Sequence, residues 1–95
     1  MYIRVTRGRV DPARLDQVVN QLLGDVQASA SRRPGYQGFM SGVDRASGRT
    51  IAVTTWDTEE HARWSPAEAL GDIPSRLQAL GVQVDAPEIF EMTSA

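Results

Sequence analysis

His61 is the one histidine among ninety-five residues, and no other side chain has an ordinary pKa near neutrality. That makes it the first candidate for a general base. It follows Thr58-Glu59-Glu60 in what reads as the first turn of a helix, so a solvated surface histidine is the competing reading. Trp64 stands three residues on, at the spacing that puts two side chains on one helical face. It serves either as the wall of a ligand pocket or as a core or interface anchor. Arg4 shares one side of an opening strand with Tyr2 and Thr6. If that side faces a cavity, Arg4 stabilises a developing enolate or phenolate, with Thr6 beside it; if it faces water, Arg4 is a surface charge. Tyr36 and Met40 fall on one face of a later strand with Gly38 and Gly42, as flat pocket lining or as interface packing. His61 and Arg4 are therefore the candidate catalytic residues. Thr6, Tyr36, Met40 and Trp64 are the candidate ligand pocket.

The missing residue types exclude much of the remaining chemistry. Without cysteine there are no disulfides, thiolate nucleophiles or thiolate metal sites. All ten basic residues are arginine, which removes a Schiff-base lysine and the lysine of a phosphate-binding loop. One histidine does not make a multi-histidine metal cage within a chain. The expectation is a protein with no cofactor and no metal. A net charge of −2 argues against nucleic acid and anionic membranes as partners. The charge is uneven: residues 1–50 carry eight arginines and four carboxylates, and residues 51–95 carry two arginines and eight carboxylates. The opening MYIRVTRGRV alternates in polarity, unlike a signal peptide, and no apolar run approaches a membrane span. A cytoplasmic location is expected.

The elements that must position these residues follow from periodicity and punctuation. Residues 2–9 alternate as a half-buried strand. Asp11-Pro12 is an N-cap followed by proline at the first helical position. Leu15, Val18, Val19, Leu22 and Val26 mark one apolar stripe on a helix of roughly five turns, ending near Ser31 before Arg33-Pro34. A second strand runs from Tyr36 to Arg45. The loop Asp44 to Gly48 closes a hairpin, and a third strand covers Arg49 to Trp56. Ile51, Ala52 and Val53 make both faces of that strand apolar. A short helix is expected over 58–64, restarting at Ser65-Pro66. Leu70, Ile73, Leu77 and Leu80 carry the second stripe, kinked or split by Pro74 and ended by Gly81. Val82 to Thr93 is a last strand, interrupted at Ala86-Pro87.

The order βαββααβ packs most simply as one α+β domain over residues 1–95. It is a ferredoxin-like, four-stranded antiparallel sheet with helices on one face. The chain has nothing left to cover the other, apolar face. A second copy laid face to face would cover it, making a homodimer with a ligand cavity between the two sheets.

Four segments carry a family likeness: VTRGRVDPARLDQVV, Pro34-Gly35-Tyr36-Gln37-Gly38-Phe39, Asp44-Arg45-Ala46-Ser47-Gly48-Arg49 and Trp56-Asp57-Thr58-Glu59-Glu60. Across nearly the whole chain the sequence resembles the dimeric α+β barrel superfamily, in its antibiotic-biosynthesis monooxygenase-like branch. The resemblance implies a homodimer that oxidises a flat, electron-rich aromatic without flavin or metal, the substrate's own carbanion reducing oxygen while the protein orients it. It also implies that haem breakdown, a second activity of the superfamily, is not this chain's. The strand-one asparagine of that pattern falls near Thr6, Trp64 lies close to its tryptophan site, and no histidine follows it. Two functions stay open: a cofactor-independent monooxygenase acting on a small hydrophobic or aromatic metabolite, or a non-catalytic binding or accessory module.

Overall fold

Strand β1 (Tyr2–Arg9) forms where the opening residues alternate, and it lies in the interior of an antiparallel sheet. The computed structural model describes residues Met1 to Ala95, the side chain of Ala67 excepted. Strand β2 (Tyr36–Asp44) pairs with β3 (Arg49–Trp56), and β3 pairs with β1. The free side of β1 takes two short strands, β4 (Gln83–Val84) and β5 (Glu88–Glu91). These are the expected last strand in two pieces. Pro87 falls in the gap, where a ladder N–H would be missing. The expected α+β, ferredoxin-like arrangement is the observed one, with five strand segments where the sequence suggested four strands.

The first helix departs from the expected regular stripe. It opens as a 3-10 turn at Pro12–Arg14, where the Asp11 carboxylate accepts from the Ala13 N–H at 2.9 Å. It continues as α1 (Leu15–Val18), widens into a π turn at Val19–Leu23, and resumes as α2 (Gly24–Ser31). A π turn spends one extra residue and rotates the residues beyond it around the axis. Leu15, Val18 and Leu22 stay buried, while Leu23 and Val26 come to border a hollow under the helices.

After β3 the helices are short. Thr58 caps α3 (Glu59–Ala62), its hydroxyl accepting from the His61 N–H at 3.1 Å. Pro66 opens α4 (Pro66–Ala69), which Ser65 precedes without a side-chain cap bond. The expected split near Pro74 falls earlier, at Leu70 to Asp72. Pro74 instead sits in the first turn of α5 (Ile73–Ala79), where its missing N–H costs nothing. The helical layer covers one sheet face. Val10, Leu15 and Val18 form the core at the hairpin end, and Trp56 is fully buried near the other end.

The hairpin loop depends on Gly48, which adopts φ +80 and whose carbonyl accepts from the Val10 N–H at 2.9 Å. A side chain there would also drive its Cβ into the Val10 carbonyl oxygen. Gly48→Ala is expected to lower unfolding stability by roughly 2 kcal/mol, combining left-handed strain with that overlap, as read from the urea midpoint.

Candidate functional site

The two faces of the sheet carry different side chains. Register places Tyr2, Arg4, Thr6 and Gly8 of β1 opposite Trp56, Thr54, Ala52 and Thr50 of β3. This is the helix-covered face, since Arg4, Thr54 and Trp56 are all buried. Apart from Arg4, Tyr2 and Trp56 the β1 and β3 side chains on this face are short, and they do not fill the space beneath the helices. A cavity of about 510 Å³ remains, bordered by Arg4, Thr6, Phe39, Thr54, Trp64 and Leu70 among others. Leu23 and Val26 close it from the first helix, and Leu77 from α5. This hollow lies within one chain, between sheet and helices, and is separate from the space expected between the sheets of two copies; Thr6, Gly8, Thr50 and Ala52 leave it room.

The aromatic end of the cavity is built in contact steps. Trp56 Nε1 donates to Thr54 Oγ1 at 2.8 Å, two residues back on the same face. Tyr36 meets the Trp56 ring edge-on at 5.9 Å, and Trp64 meets it at 6.1 Å, tilted by 50°. The Arg4 guanidinium carbon lies 4.1 Å from the Trp64 ring centroid, a cation–π arrangement. Arg4 Nη1 donates to the carbonyls of Ala62 at 2.9 Å and Trp64 at 2.7 Å. Its Nε and Trp64 Nε1 are buried donors with no partner among the described residues. Burial lowers the Arg4 pKa, although guanidinium basicity is high enough to keep the charge at neutral pH.

Of the six residues singled out from the sequence, Arg4, Thr6 and Trp64 meet at this cavity. Tyr36 stands behind it, against Trp56. Met40 does not join them, because it lies on the outer sheet face and is 67% exposed. The assumption that Tyr36 and Met40 share a face fails at a β-bulge between Tyr36 and Gly38, which shifts the register by one residue and turns Tyr36 toward the helices. Phe39, Leu70 and Leu77 were not anticipated as lining. Alternation put Phe39 opposite Met40, and the helical stripe contained both leucines, so that signal was present.

His61 lies outside the cavity lining. Its Nδ1–H donates to Asp57 Oδ1 at 2.7 Å, with both side chains partly exposed. The pair packs over Gly35, whose φ is +80 and whose carbonyl accepts from the Asp57 N–H at 3.0 Å. A Cβ at position 35 would overlap both the Asp57 carboxylate and the His61 ring. The Asp57 N–H thus ties the exit of β3 to the turn that enters β2, and the imidazole packs over that junction. A second hollow, about 560 Å³, opens near the hairpin end between Arg7, Arg9, Asp44, Arg49 and Asp85. Two of its arginines are committed, Arg7 to Glu88 and Arg49 to Asp44. Among the described residues no group of three or more His, Asp or Glu side chains could hold a metal ion.

The class this architecture defines is the ferredoxin-like α+β fold of the antibiotic-biosynthesis monooxygenase-like proteins. Solved structures that share it include the following three. A protein from Deinococcus radiodurans, named as a candidate antibiotic biosynthesis monooxygenase, superposes with a TM-score of 0.76 at 16% identity, covering 100% of this chain and 95% of that one. SnoaB, a cofactor-independent oxygenase from Streptomyces nogalater, gives 0.68 at 17% identity, covering 99% and 94%. The monooxygenase from the ActVA-Orf6 gene of Streptomyces coelicolor, solved with nanaomycin D, gives 0.68 at 21% identity, covering 99% and 87%. No protein-family model and no curated protein matches the sequence. At these identities the likeness is one of fold.

The bond from His61 holds the Asp57 carboxyl below its ordinary value of 3.8. A depressed carboxyl stabilises the folded state above its unfolded pKa, and that contribution is lost as pH falls through the lower folded value. In His61→Ala the Asp57 titration midpoint, followed by NMR of its carboxyl carbon, is expected to rise toward the ordinary value.

Proposed function

We propose that the protein is a homodimer whose subunits each bind a small hydrophobic or aromatic metabolite in the cavity between sheet and helices. We further propose that it acts as a cofactor-independent monooxygenase of the cytoplasm. The observation that carries the reading is the cavity itself: about 510 Å³, walled by Phe39, Leu70, Leu77 and Trp64, with a few hydroxyls from Thr6 and Thr54. Such a hollow suits a flat, fused-ring molecule, with the ring plane set against the indole.

In the reaction proposed, an acidic ring methylene of the substrate gives up its proton and the resulting carbanion reduces oxygen. One oxygen atom becomes the new carbonyl and the other leaves as water, with the electrons all coming from the substrate. The chain contributes orientation, exclusion of water and a positive field from Arg4. The neighbours described as oxygenases support this reading through their fold.

The dimer is supported by the outer sheet face, where Met40, Ile51 and Phe90 stand exposed in one patch. An apolar face of this kind on an otherwise covered sheet fits a self-complementary interface. One observation favours the second reading, a non-catalytic binding module. The ionisable groups bordering the cavity are Arg4, Arg7 and Asp85, and His61 is not among them. A substrate there must bring its own acidity.

Oxygen uptake with a panel of anthrone-like and quinol substrates tests the enzyme. Turnover above background, reduced about tenfold in Trp64→Ala, is the expected result. Binding without turnover leaves the module reading, and no binding removes both. By light scattering at micromolar concentration the chain is expected at twice its monomer mass, and the double variant Met40→Asp, Phe90→Asp at the monomer mass.

A further inference from the structure

The connection between α3 and α4 breaks for a covalent reason. Pro66 has no N–H to offer the Ala62 carbonyl four residues back, and its ring keeps Ser65 extended at φ −89, ψ 123. Ala62 is completely buried, so its carbonyl cannot turn to water instead. The Trp64 carbonyl falls in the same break. Arg4 reaches both from the sheet below with a single nitrogen, at 2.9 and 2.7 Å.

We propose that Arg4 is the positioning residue of the cavity wall: it fixes the backbone and the ring plane of Trp64 together, and so sets the surface that a ligand meets. The inference rests on the reading of the cavity as a ligand site. Of the three contacts from this one side chain, two fall on Trp64, at its carbonyl and its ring face, and the third on the Ala62 carbonyl two residues earlier. Arg4 is only 3% exposed, and its Nη1 is committed twice, both times to the backbone of this break. None of the ion pairs among the described residues includes Arg4. A carboxylate within reach would compete with the carbonyls for the guanidinium. Without one, the whole charge stays on the break. A ligand then meets an indole whose orientation is already set, and the ordering cost of that side chain does not fall on binding.

The test uses the full chain labelled with 5-fluorotryptophan, whose two fluorine resonances are assigned through Trp64→Phe. In Arg4→Met the Trp64 resonance is expected to shift and broaden more than that of Trp56. Acrylamide quenching should rise, and the affinity for 1-naphthol, the probe ligand, should fall about tenfold. Arg4→Lys restores a cation but not the planar guanidinium over the ring, so partial recovery is expected. Pro66→Ala provides a second route that leaves Arg4 in place. It supplies an N–H for the Ala62 carbonyl and lets Ser65 turn helical, and it should disturb Trp64 in the same selective way. A Trp64 resonance at its wild-type position and width in Arg4→Met overturns the proposal. If that variant does not fold, the same result in Pro66→Ala overturns it. Failure of the wild-type chain to bind 1-naphthol counts against the ligand site, while the fluorine signals still decide the role of Arg4.

Discussion

A buried guanidinium in the interior of the sheet is the constraint that the surrounding structure must satisfy. Taking such a charge out of water costs several kcal/mol even after relaxation, on the order of what a small domain has in net stability. Around Arg4 the cost is offset by two short bonds to carbonyls and by the Trp64 ring beneath the charge. Each such contact is worth about 1–3 kcal/mol when shielded from solvent. The compensation works only with β1 inside the sheet and the α3–α4 break directly above residue 4. Strand order and the interruption of the helical layer are therefore linked through one side chain.

The sequence is most legible where structure follows from local chemistry. Asp11-Pro12 and the Asp44 to Gly48 loop each announce a cap or turn through residues whose side chains or φ preferences allow little else, and each is found there. The elements of the fold follow from such signals. The exceptions arise where tertiary contacts displace a local pattern. The π turn at Val19–Leu23 leaves no mark in a stripe of apolar residues, and the bulge beyond Tyr36 changes which face that residue serves without changing its neighbours in sequence.

The site was readable to a similar depth. Arg4, Thr6 and Trp64 were singled out by residue type and alternation, and they do border one cavity. His61 stood out for its acid–base chemistry, but its geometry is set by Asp57 and by the bare backbone of Gly35. A sequence shows which proton a group could carry; which direction the group points is decided by partners far along the chain. The sequence pointed to the uncovered face, where a second copy would enclose a space between two sheets. The register of β1 on β3 is what reveals that the covered face is itself poorly filled.

From Thr6 and Thr54 toward the hairpin, the inner face of β1 and β3 is made of residues that stop short: threonines, an alanine and a glycine. The hollow is thus a subtraction, shaped by atoms those strands lack and bounded by helices that the hydrophobic ends hold apart. A methyl group added or removed at Ala52, Thr6 or Thr50 changes its outline while the hydrogen-bonded frame stays as it is. A backbone can then be kept faithfully through lineages in which the chamber it encloses has been recut for different guests. Fold and occupant are written in separate sets of residues, so kinship in one carries little information about the other.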